Sequence, residues 1–339
     1  MKIIKVQDAV GSVLCHDVTR IVPGEFKGVA FKRGHVIKEE DISMLLSIGK
    51  EHLYVWEENA DILHENEAAE RLRDLTADEN LYFSDIKEGK IEFFADSFGL
   101  LKIDVKKLFD LNNFGEIILS TIHNNTVVKK GDKVAATKII PLTIEKKKLE
   151  EAEKLIGSKI VKVVPIRPKK VAIVTTGSEV YKGKIKDSFR PVLEEKLSEY
   201  GCEILGQTIL PDDVGAIEGA ITSWLEKGAE MVLCTGGMSV DADDLTPTAI
   251  KNSGAEFIVY GTPVLPGAML LLSYKGDIPI LGLPGSVIFA KRTMFDLLLP
   301  RVLAGEKLKR EDIAAYAHGG LCLNCKECHY PNCSFGKGV

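Results

Sequence analysis

The sequence lacks both a long apolar run and a long block of basic residues. No stretch is long and apolar enough to span a bilayer, and the opening MKIIKVQDAVGSVLCHDV has no extended core of the signal-peptide kind. We therefore expect a cytoplasmic protein with no membrane partner. A formal net charge of -5 with no basic block argues against a nucleic-acid partner. The composition is otherwise that of a globular chain: 339 residues, of which 45% are hydrophobic, leave room for two or three domains.

A glycine-rich and acidic loop, TGGMSVDADDLTP at Thr235 to Pro247, is the most specific stretch of the chain. It follows an apolar run, Met231 to Cys234, that predicts a short buried strand, and Thr246-Pro247 is typical of a helix start. Gly236 and Gly237 allow a sharp turn and the close approach of a ligand. Such a turn before a helix favours anions, whereas three carboxylates repel them: Asp241, Asp243 and Asp244. A phosphate or oxyanion that arrives with a divalent cation satisfies both features, and a tight loop with a solvated acidic cap is the plain alternative.

Strand and helix patterns alternate around this loop. Val171 to Thr176, Cys202 to Leu210 and Met231 to Cys234 predict strands, while Ser188 to Tyr200 and Ala216 to Lys227 predict helices. This alternation indicates an α/β fold with three layers and a mostly parallel sheet. Because ligands bind beyond the carboxyl ends of parallel strands, we expect the loops after these three strands to meet.

The loop motifs resemble those of the molybdopterin-binding domain superfamily. The central loop is similar to SGGVSVGDYD of the molybdopterin molybdenumtransferases and, through DLTP, to the adenylyltransferases. TTGSEV and GKIKDSF resemble TTGDEL and GQIYDSN, with Ser178 and Phe189 as departures. LPGSV resembles LPGNPVS, with Ser286-Val287 in place of Asn-Pro. The family's DGYA-like motif and its terminal β domain are not found.

The resemblance implies roles for individual residues. Those expected to act in catalysis are Asp244, Glu179 and Asp213. Those expected to bind substrate are Thr175, Thr176, Gly177, Asp187, Ser188, Thr235, Gly236, Gly237, Ser239, Pro284, Gly285 and Ser286. Asp244 with Asp241 would hold Mg²⁺. Asp187 and Ser188 serve equally well as helix caps, and Asp213 at a strand end suits a helix terminus. Gly285-Ser286 precedes a predicted helix, Val287 to Leu299, and so offers a second glycine-to-helix anion site.

The pattern divides the chain into three parts. Residues 1–165 form a mixed α+β, β-rich N-terminal region, with helices at Lys38 to Ile48, Glu65 to Leu75 and Glu145 to Ile156 and a small antiparallel β module at about 86–144. In the family that module helps to form a homodimer. Residues 166–306 form the α/β domain, and residues 307–339 form a cysteine-rich, metal-binding tail.

Four of the seven cysteines lie in this tail, spaced C-x2-C-x2-C-x4-C: Cys322, Cys325, Cys328 and Cys333. In a cytoplasmic chain such cysteines indicate metal ligands rather than disulfides. Both zinc and a 4Fe–4S cluster suit four thiolates, and the two-residue gaps favour iron–sulfur. His318 or His329 could replace one thiol, and a disordered reactive tail is the alternative.

By resemblance, the sequence predicts a molybdopterin molybdenumtransferase of molybdenum cofactor biosynthesis. Adenylated molybdopterin and molybdate would be its substrates, Mg²⁺ would assist the release of AMP, and a molybdoenzyme or another cofactor-biosynthesis protein would be its partner. Two alternatives are a non-catalytic cofactor carrier and a molybdopterin adenylyltransferase. The sequence does not choose between molybdate and tungstate.

Overall fold

The structure is a computed structural model that describes residues 2–22, 24, 26–55, 60–239, 241 and 244–338. Asp243 of the acidic cluster therefore lies outside the described residues. The chain divides into two compact units. The first unit comprises residues 1–95, 104–122 and 131–162, and the second unit comprises residues 96–103, 123–130 and 163–339.

The described strands are, in chain order, β1 Lys2–Lys5, β2 Val18–Val22, β3 Phe26–Phe31, β4 His52–Val55, β5 Ile62–His64, β6 Leu81–Phe83, β7 Ile91–Ala95, β8 Gly99–Ile103, β9 Ile117–Thr121, β10 Val127–Val128, β11 Lys133–Ile139, β12 Thr143–Glu145, β13 Val161–Pro165, β14 Lys170–Thr176, β15 Glu203–Leu210, β16 Met231–Thr235, β17 Glu256–Tyr260, β18 Leu271–Lys275 and β19 Ile278–Leu283. The described α-helices are α1 Glu39–Ser47, α2 Glu65–Thr76, α3 Val105–Asn113, α4 Lys146–Ile156, α5 Ser178–Tyr181, α6 Phe189–Ser198, α7 Val214–Glu226, α8 Thr246–Asn252, α9 Ser286–Phe289, α10 Met294–Leu303 and α11 Arg310–Ala314. Short 3-10 helices occupy Val6–Asp8 and Ala315–Ala317.

The first unit contains small antiparallel sheets and amphipathic helices. Its largest sheet has the order β6-β7-β11-β9, and β2 pairs with β3, β1 with β4, and β12 with β5. The three predicted helices are confirmed as α1, α2 and α4. Helix α2 begins after His64, whose Nδ1 accepts a hydrogen bond from the backbone N–H of Asn66 at 3.2 Å. Burial lowers the pKa of His64, so the neutral ring that caps the helix is favoured.

Helix α3 departs from the expectation of strands throughout residues 86–144. Asp104 caps it, because its Oδ1 accepts a hydrogen bond from the backbone N–H of Lys107 at 3.0 Å. Its apolar side is anchored by Leu111, which is fully buried. For residues Val105–Asn113, a helix with a cap and one buried face is therefore more stable than a paired strand. Strands β8 and β10 from the same stretch of sequence belong to the second unit.

The second unit is built on a six-stranded sheet, within the described residues, of order β15-β14-β16-β19-β18-β17. Strands β15, β14, β16 and β19 are parallel, whereas β18 and β17 run antiparallel. Successive residues of β14 face opposite sides. Val171 and Ile173 join a core with α6 and α10, and Ala172 and Val174 join a core with α7 and α8. The predicted three-layer α/β fold with a mostly parallel sheet is confirmed.

The predicted helix from Val287 to Leu299 is wrong, because two helices occupy this stretch. Helix α9 ends at Phe289, and α10 begins after Thr293, whose backbone N–H donates to Asp296 Oδ2 at 2.7 Å in a capping box. The buried ammonium of Lys196 on α6 holds the break, since it donates to Asp296 Oδ1 at 2.5 Å and to the carbonyl of Lys291 at 2.9 Å. A local helix start and a buried ion pair thus outweigh the continuous apolar pattern.

The cysteine-rich tail packs onto the second unit. The backbone N–H of Cys322 donates to the carbonyl of Leu265 at 2.8 Å, and Gly336 N–H donates to the carbonyl of Gly319 at 2.9 Å. Phe335 is only 3% exposed and belongs to the core on the α6 side of the sheet. The tail is therefore an ordered part of this unit. In the described part of the chain, no helix has the length and apolar character that crossing a bilayer requires.

Candidate functional site

The order of the parallel strands sets the ends of β14 and β16 apart from the others. The chain runs from β14 to β15 on one side and then returns to β16 on the other side, which makes this a topological switch point. The strand ends are level, since Thr176 pairs with Leu210, Thr175 with Thr235, and Thr235 with Leu283. The loops after β14, β15, β16 and β19 therefore leave the sheet at one edge, where ligands of such sheets bind.

The glycine pair of the central loop fits closely against the end of β14. Gly236 has φ +82°, and a Cβ on it would overlap the carbonyl of Thr176. Gly237 has φ +55°, and a Cβ on it would lie 2.9 Å from Thr246 Oγ1. Both positions exclude other residues, because of the backbone conformation and because of the close approach. The glycines therefore join the central loop to the loop after β14.

Thr246 at the start of α8 completes this junction and is absent from the predicted substrate-binding residues. Its fully buried hydroxyl donates to the carbonyl of Gly236 at 2.8 Å, and its Oγ1 lies 3.2 Å from Thr176 Oγ1. The DLTP segment contains this threonine, but its pattern predicts only a helix start. The hydroxyls of Thr176 and Thr246 thus face each other across the loop junction.

A chain of buried and partly buried hydrogen bonds connects β14, β15 and β16. Thr235 Oγ1 donates to Thr175 Oγ1 at 2.9 Å, and Gln207 Nε2 donates to Thr175 Oγ1 at 2.8 Å and to Asp187 Oδ2 at 2.6 Å. Gln207 was not selected from the sequence, where it stands mid-strand without a motif. Beneath these groups, burial raises the pKa of the Cys234 thiol to about 12, so it stays protonated and is no nucleophile.

The loop after β14 is held by Asp187 at its far end. The Asp187 carboxylate accepts from the backbone N–H groups of Phe189 at 2.9 Å and Arg190 at 3.2 Å, which makes it the cap of α6. Ser188 is exposed, and within the described structure its side chain makes no cap hydrogen bond. The expected cap role therefore falls to Asp187 alone, and its bond to Gln207 also ties it to the site.

The two aspartates after β15, Asp212 and Asp213, have different roles. Asp213 is exposed and caps α7, since its Oδ1 accepts from the backbone N–H of Ala216 at 2.7 Å. Asp212 is half-buried, and its Oδ2 accepts from the backbone N–H and the hydroxyl of Ser178 at 3.0 and 3.2 Å. Asp212, which the motif comparison passed over, therefore joins the loop after β15 to the loop after β14. Glu179 is exposed on the one-turn helix α5 that follows Gly177.

Asp241 and Asp244, together called the acidic turn, are hydrogen-bonded to each other in the central loop. Asp244 Oδ2 accepts from the backbone N–H of Asp241 at 2.9 Å, and Asp244 N–H donates to the carbonyl of Asp241 at 3.0 Å. The phenol of Tyr260 donates to the carbonyl of Ser239 at 2.8 Å. Burial, and to a smaller extent the Asp244 carboxylate, raises the pKa of Tyr260, so its proton is retained. The tyrosine thus fixes the path of the backbone that leads to the acidic turn.

The loop after β19 differs from the expected anion site. Gly285 has φ −56° and ψ −23°, and α9 behind it is a single turn of four residues, too short for a substantial dipole. Pro284 is buried beside it. The Oγ of Ser286 is buried and has no hydrogen-bond partner among the described residues. This loop offers a polar atom and free space rather than a helix terminus.

Preformed metal sites are not found in the described part of the chain. No three histidine, cysteine, aspartate or glutamate side chains there are grouped as ligands of one metal ion. Asp241 and Asp244 are linked through the backbone N–H of Asp241 and Oδ2 of Asp244. Mg²⁺ is commonly held by one or two carboxylates together with substrate phosphates. All four tail cysteines are free thiols, Cys322 half-buried and the other three exposed.

Comparison with known proteins identifies the second unit. Residues 172–304 match the family model described as a probable molybdopterin binding domain. The chain carries a domain of the molybdopterin-binding kind. The resemblance seen in the loop motifs is thereby confirmed for this domain. Residues 3–57 match a domain of unknown function (DUF8806).

Two curated relatives of the molybdopterin-binding domain are molybdopterin molybdenumtransferases. That of Synechococcus elongatus is 27% identical over 144 residues, which cover 40% of this chain and 36% of the relative. That of Haemophilus influenzae is 27% identical over 157 residues, covering 44% of this chain and 38% of the relative. The chain thus aligns with well under half the length of either relative. Among solved structures, MoaB of Thermus thermophilus is 20% identical with a TM-score of 0.34, covering 41% of this chain and 98% of that one.

Proposed function

We propose that this protein acts in molybdenum cofactor biosynthesis as a molybdopterin molybdenumtransferase. Its molybdopterin-binding domain would bind adenylated molybdopterin and molybdate, and the products would be the molybdenum-loaded cofactor, AMP and water. The observation that carries the proposal is the convergence of the Gly236-Gly237 loop, the Thr176 loop and the Asp212 loop at the switch point of a molybdopterin-binding domain.

The switch point suits a phosphorylated ligand with polar groups. Thr176 and Thr246 hold the junction of two loops through their buried hydroxyls, and the Oγ of Ser286 is buried without a partner among the described residues. A bound ligand would satisfy that hydroxyl, which otherwise carries a desolvation cost. Because residues 236 and 237 are glycines, no Cβ atom at these positions blocks the approach of a ligand to the backbone N–H groups of the central loop.

The carboxylate oxygens of the acidic turn are donors that suit Mg²⁺. Asp244 and Asp241 would hold it, with the phosphate oxygens of the substrate as further ligands. The ion would supply charge stabilisation for the leaving phosphate. Tyr260 keeps the turn in place through its bond to the Ser239 carbonyl. The Cys234 thiol is buried and protonated, and the threonines are hydrogen-bonded, so neither is available as a nucleophile. The protein would therefore position the substrates rather than attack them.

Release of AMP from adenylated molybdopterin tests this function. With Mg²⁺ and protein purified without oxygen, we expect release that depends on molybdate. Tight binding without release would show a cofactor carrier instead, and consumption of ATP with molybdopterin would show an adenylyltransferase. The same assay with tungstate measures the choice of oxyanion. Homodimer formation, expected from the family resemblance, is checked by light scattering.

The Asp244→Asn variant tests the acidic turn. We expect AMP release to fall about a hundredfold or more, because the cation loses a charged ligand and several kcal/mol of charge stabilisation. Asp277→Asn is the matched control, since Asp277 is 95% exposed on the turn between β18 and β19, at the opposite edge of the sheet. Equal activity of both variants would rule out a metal role for Asp244.

A further inference from the structure

The four tail cysteines surround a single cavity. Cys322, Cys325, Cys328 and Cys333 all line a cavity of about 230 Å³ in the second unit. One water molecule occupies about 30 Å³ of the liquid, so this space admits a guest of several atoms. All four side chains are free thiols. Cysteines that are spread over twelve residues of sequence thus line one partly open cavity.

The backbone that carries the thiols is anchored on both sides. Before the cavity, Leu321 forms a parallel bridge with Leu265, and Cys322 N–H donates to the Leu265 carbonyl at 2.8 Å. After it, Phe335 is buried at 3% exposure in the core. Tyr330 packs against the same core and contacts the Phe335 ring at 6.4 Å between centroids. The thiols are therefore presented by an ordered scaffold, and the alternative of a disordered tail does not describe this structure.

The other walls of the cavity are apolar and cationic. Phe289, Leu321 and Leu323 line it, and their side chains are 86%, 62% and 74% exposed. Such exposure of large apolar side chains around one cavity is costly unless they shield something. Lys291 and Arg292 line the same cavity. The Arg292 guanidinium is paired with Glu199 and Asp296, so the cation that remains for an anionic guest is Lys291.

We propose that this cavity binds a 4Fe–4S cluster through Cys322, Cys325, Cys328 and Cys333. A single zinc ion requires all four sulfur atoms within about 2.3 Å of one centre. A cubane cluster instead takes one thiolate at each of four separate irons, which suits thiols arranged around a cavity. With four thiolates the oxidised cluster is a dianion, in keeping with Lys291 on the wall. The site is independent of the proposed transferase activity.

The cluster assembles from ferric iron, sulfide and the four thiols. Four cysteine thiols each lose a proton and form one sulfur–iron bond. Four ferric ions and four sulfides supply the core, and dithiothreitol donates the two electrons that leave two irons ferric and two ferrous. The protons pass to the buffer, and dithiothreitol becomes its cyclic disulfide.

Anaerobic reconstitution of the full chain tests the proposal. The probes are ferric iron with sulfide and dithiothreitol in one sample and zinc alone in another. We expect about four irons and four sulfides per chain after desalting, with visible charge-transfer absorption that bleaches on reduction and an electron paramagnetic resonance signal of the reduced cluster. Zinc retained at one per chain, together with no retained iron–sulfide absorption, would overturn the proposal.

Single-thiol variants assign the ligands. Cys325→Ser and Cys328→Ser change exposed side chains, so we expect the fold by circular dichroism to be kept and retained iron to fall about tenfold or more. Cys202→Ser is the matched control, because Cys202 is a half-buried thiol of the same unit that does not line the cavity. Iron retention that is equal in all three variants would show that the tail thiols are not the ligands.

Discussion

Two loops of the molybdopterin-binding domain follow parallel strands and contain glycine before a helix, yet they use glycine differently. In the loop after β16, Gly236 has φ +82° and touches the Thr176 backbone so closely that a Cβ would overlap it. In the loop after β19, Gly285 has φ −56°, and no described heavy atom outside its neighbours lies within 4 Å of the position of a Cβ. The first glycine is required by the protein itself, and the second is not.

The difference separates structural from ligand-facing positions. Around Gly236 the hydroxyls are partnered, as in the bond from Thr246 Oγ1 to the Gly236 carbonyl at 2.8 Å. Behind Gly285 the buried Oγ of Ser286 has no partner among the described residues. A closed junction thus lies beside an open loop with an unsatisfied polar atom. Under the proposed function, the junction shapes the site and the open loop contacts the substrate.

Alanine at each glycine gives the largest expected contrast. Gly236→Ala should lower the free energy of unfolding by about 3 kcal/mol or more, because it adds both backbone strain and steric overlap. Gly285→Ala should leave it unchanged or raise it by about 0.5 kcal/mol, since alanine accepts this backbone conformation. Urea unfolding measures both. Equal destabilisation by the two variants would remove the distinction between the loops.

The same pair of variants also separates stability from binding. If the space before Gly285 receives the ligand, Gly285→Ala should weaken binding of molybdopterin while the protein remains fully folded. Isothermal titration of the folded variant measures the effect. Unchanged affinity would place the ligand away from the loop after β19.

Removal of a hydroxyl from each loop gives a smaller contrast. Thr246→Val should cost about 2 kcal/mol, because it leaves the Gly236 carbonyl and the Thr176 hydroxyl without their partner in a buried site. Ser286→Ala should be close to neutral for stability, since its hydroxyl makes no hydrogen bond to described residues. Thermal unfolding of both variants checks this order. A Ser286→Ala variant that is less stable than Thr246→Val would contradict it.

The smallest expected effect concerns Tyr260, which braces the loop after β16. Tyr260→Phe should cost about 0.5 kcal/mol through the lost bond to the Ser239 carbonyl, a modest value because the side chain is 41% exposed. Burial and the Asp244 carboxylate raise the pKa of Tyr260, so its contribution is complete below about pH 10, the unfolded pKa, and is lost as pH rises through the folded pKa. Unfolding measured from pH 8 to pH 11 should show a smaller alkaline loss in Tyr260→Phe than in the unmodified protein.

The sequence alone determined the α/β architecture and singled out the loops of the candidate site. Periodicity located β14, β15, β16, α6 and α7 within a few residues, because each is a regular element whose burial pattern is local. The proline at the start of α8 was sufficient to predict that helix start, and the apolar run before the glycine pair was sufficient to predict β16. The loop motifs gave the resemblance that the family match to residues 172–304 supports. The roles of Mg²⁺ and of the individual site residues stay predictions.

The tertiary structure decided what no local pattern contains. The Lys196–Asp296 ion pair and the Thr293 capping box break the predicted helix after Val287. Burial of Leu111, added to the local Asp104 cap, favours a helix at residues 105–113. Contacts between separate segments of the chain select Asp212, Gln207 and Thr246, and the fold gathers four tail thiols around one cavity. These features depend on groups distant in sequence, whose interaction energies arise only when packing brings them together.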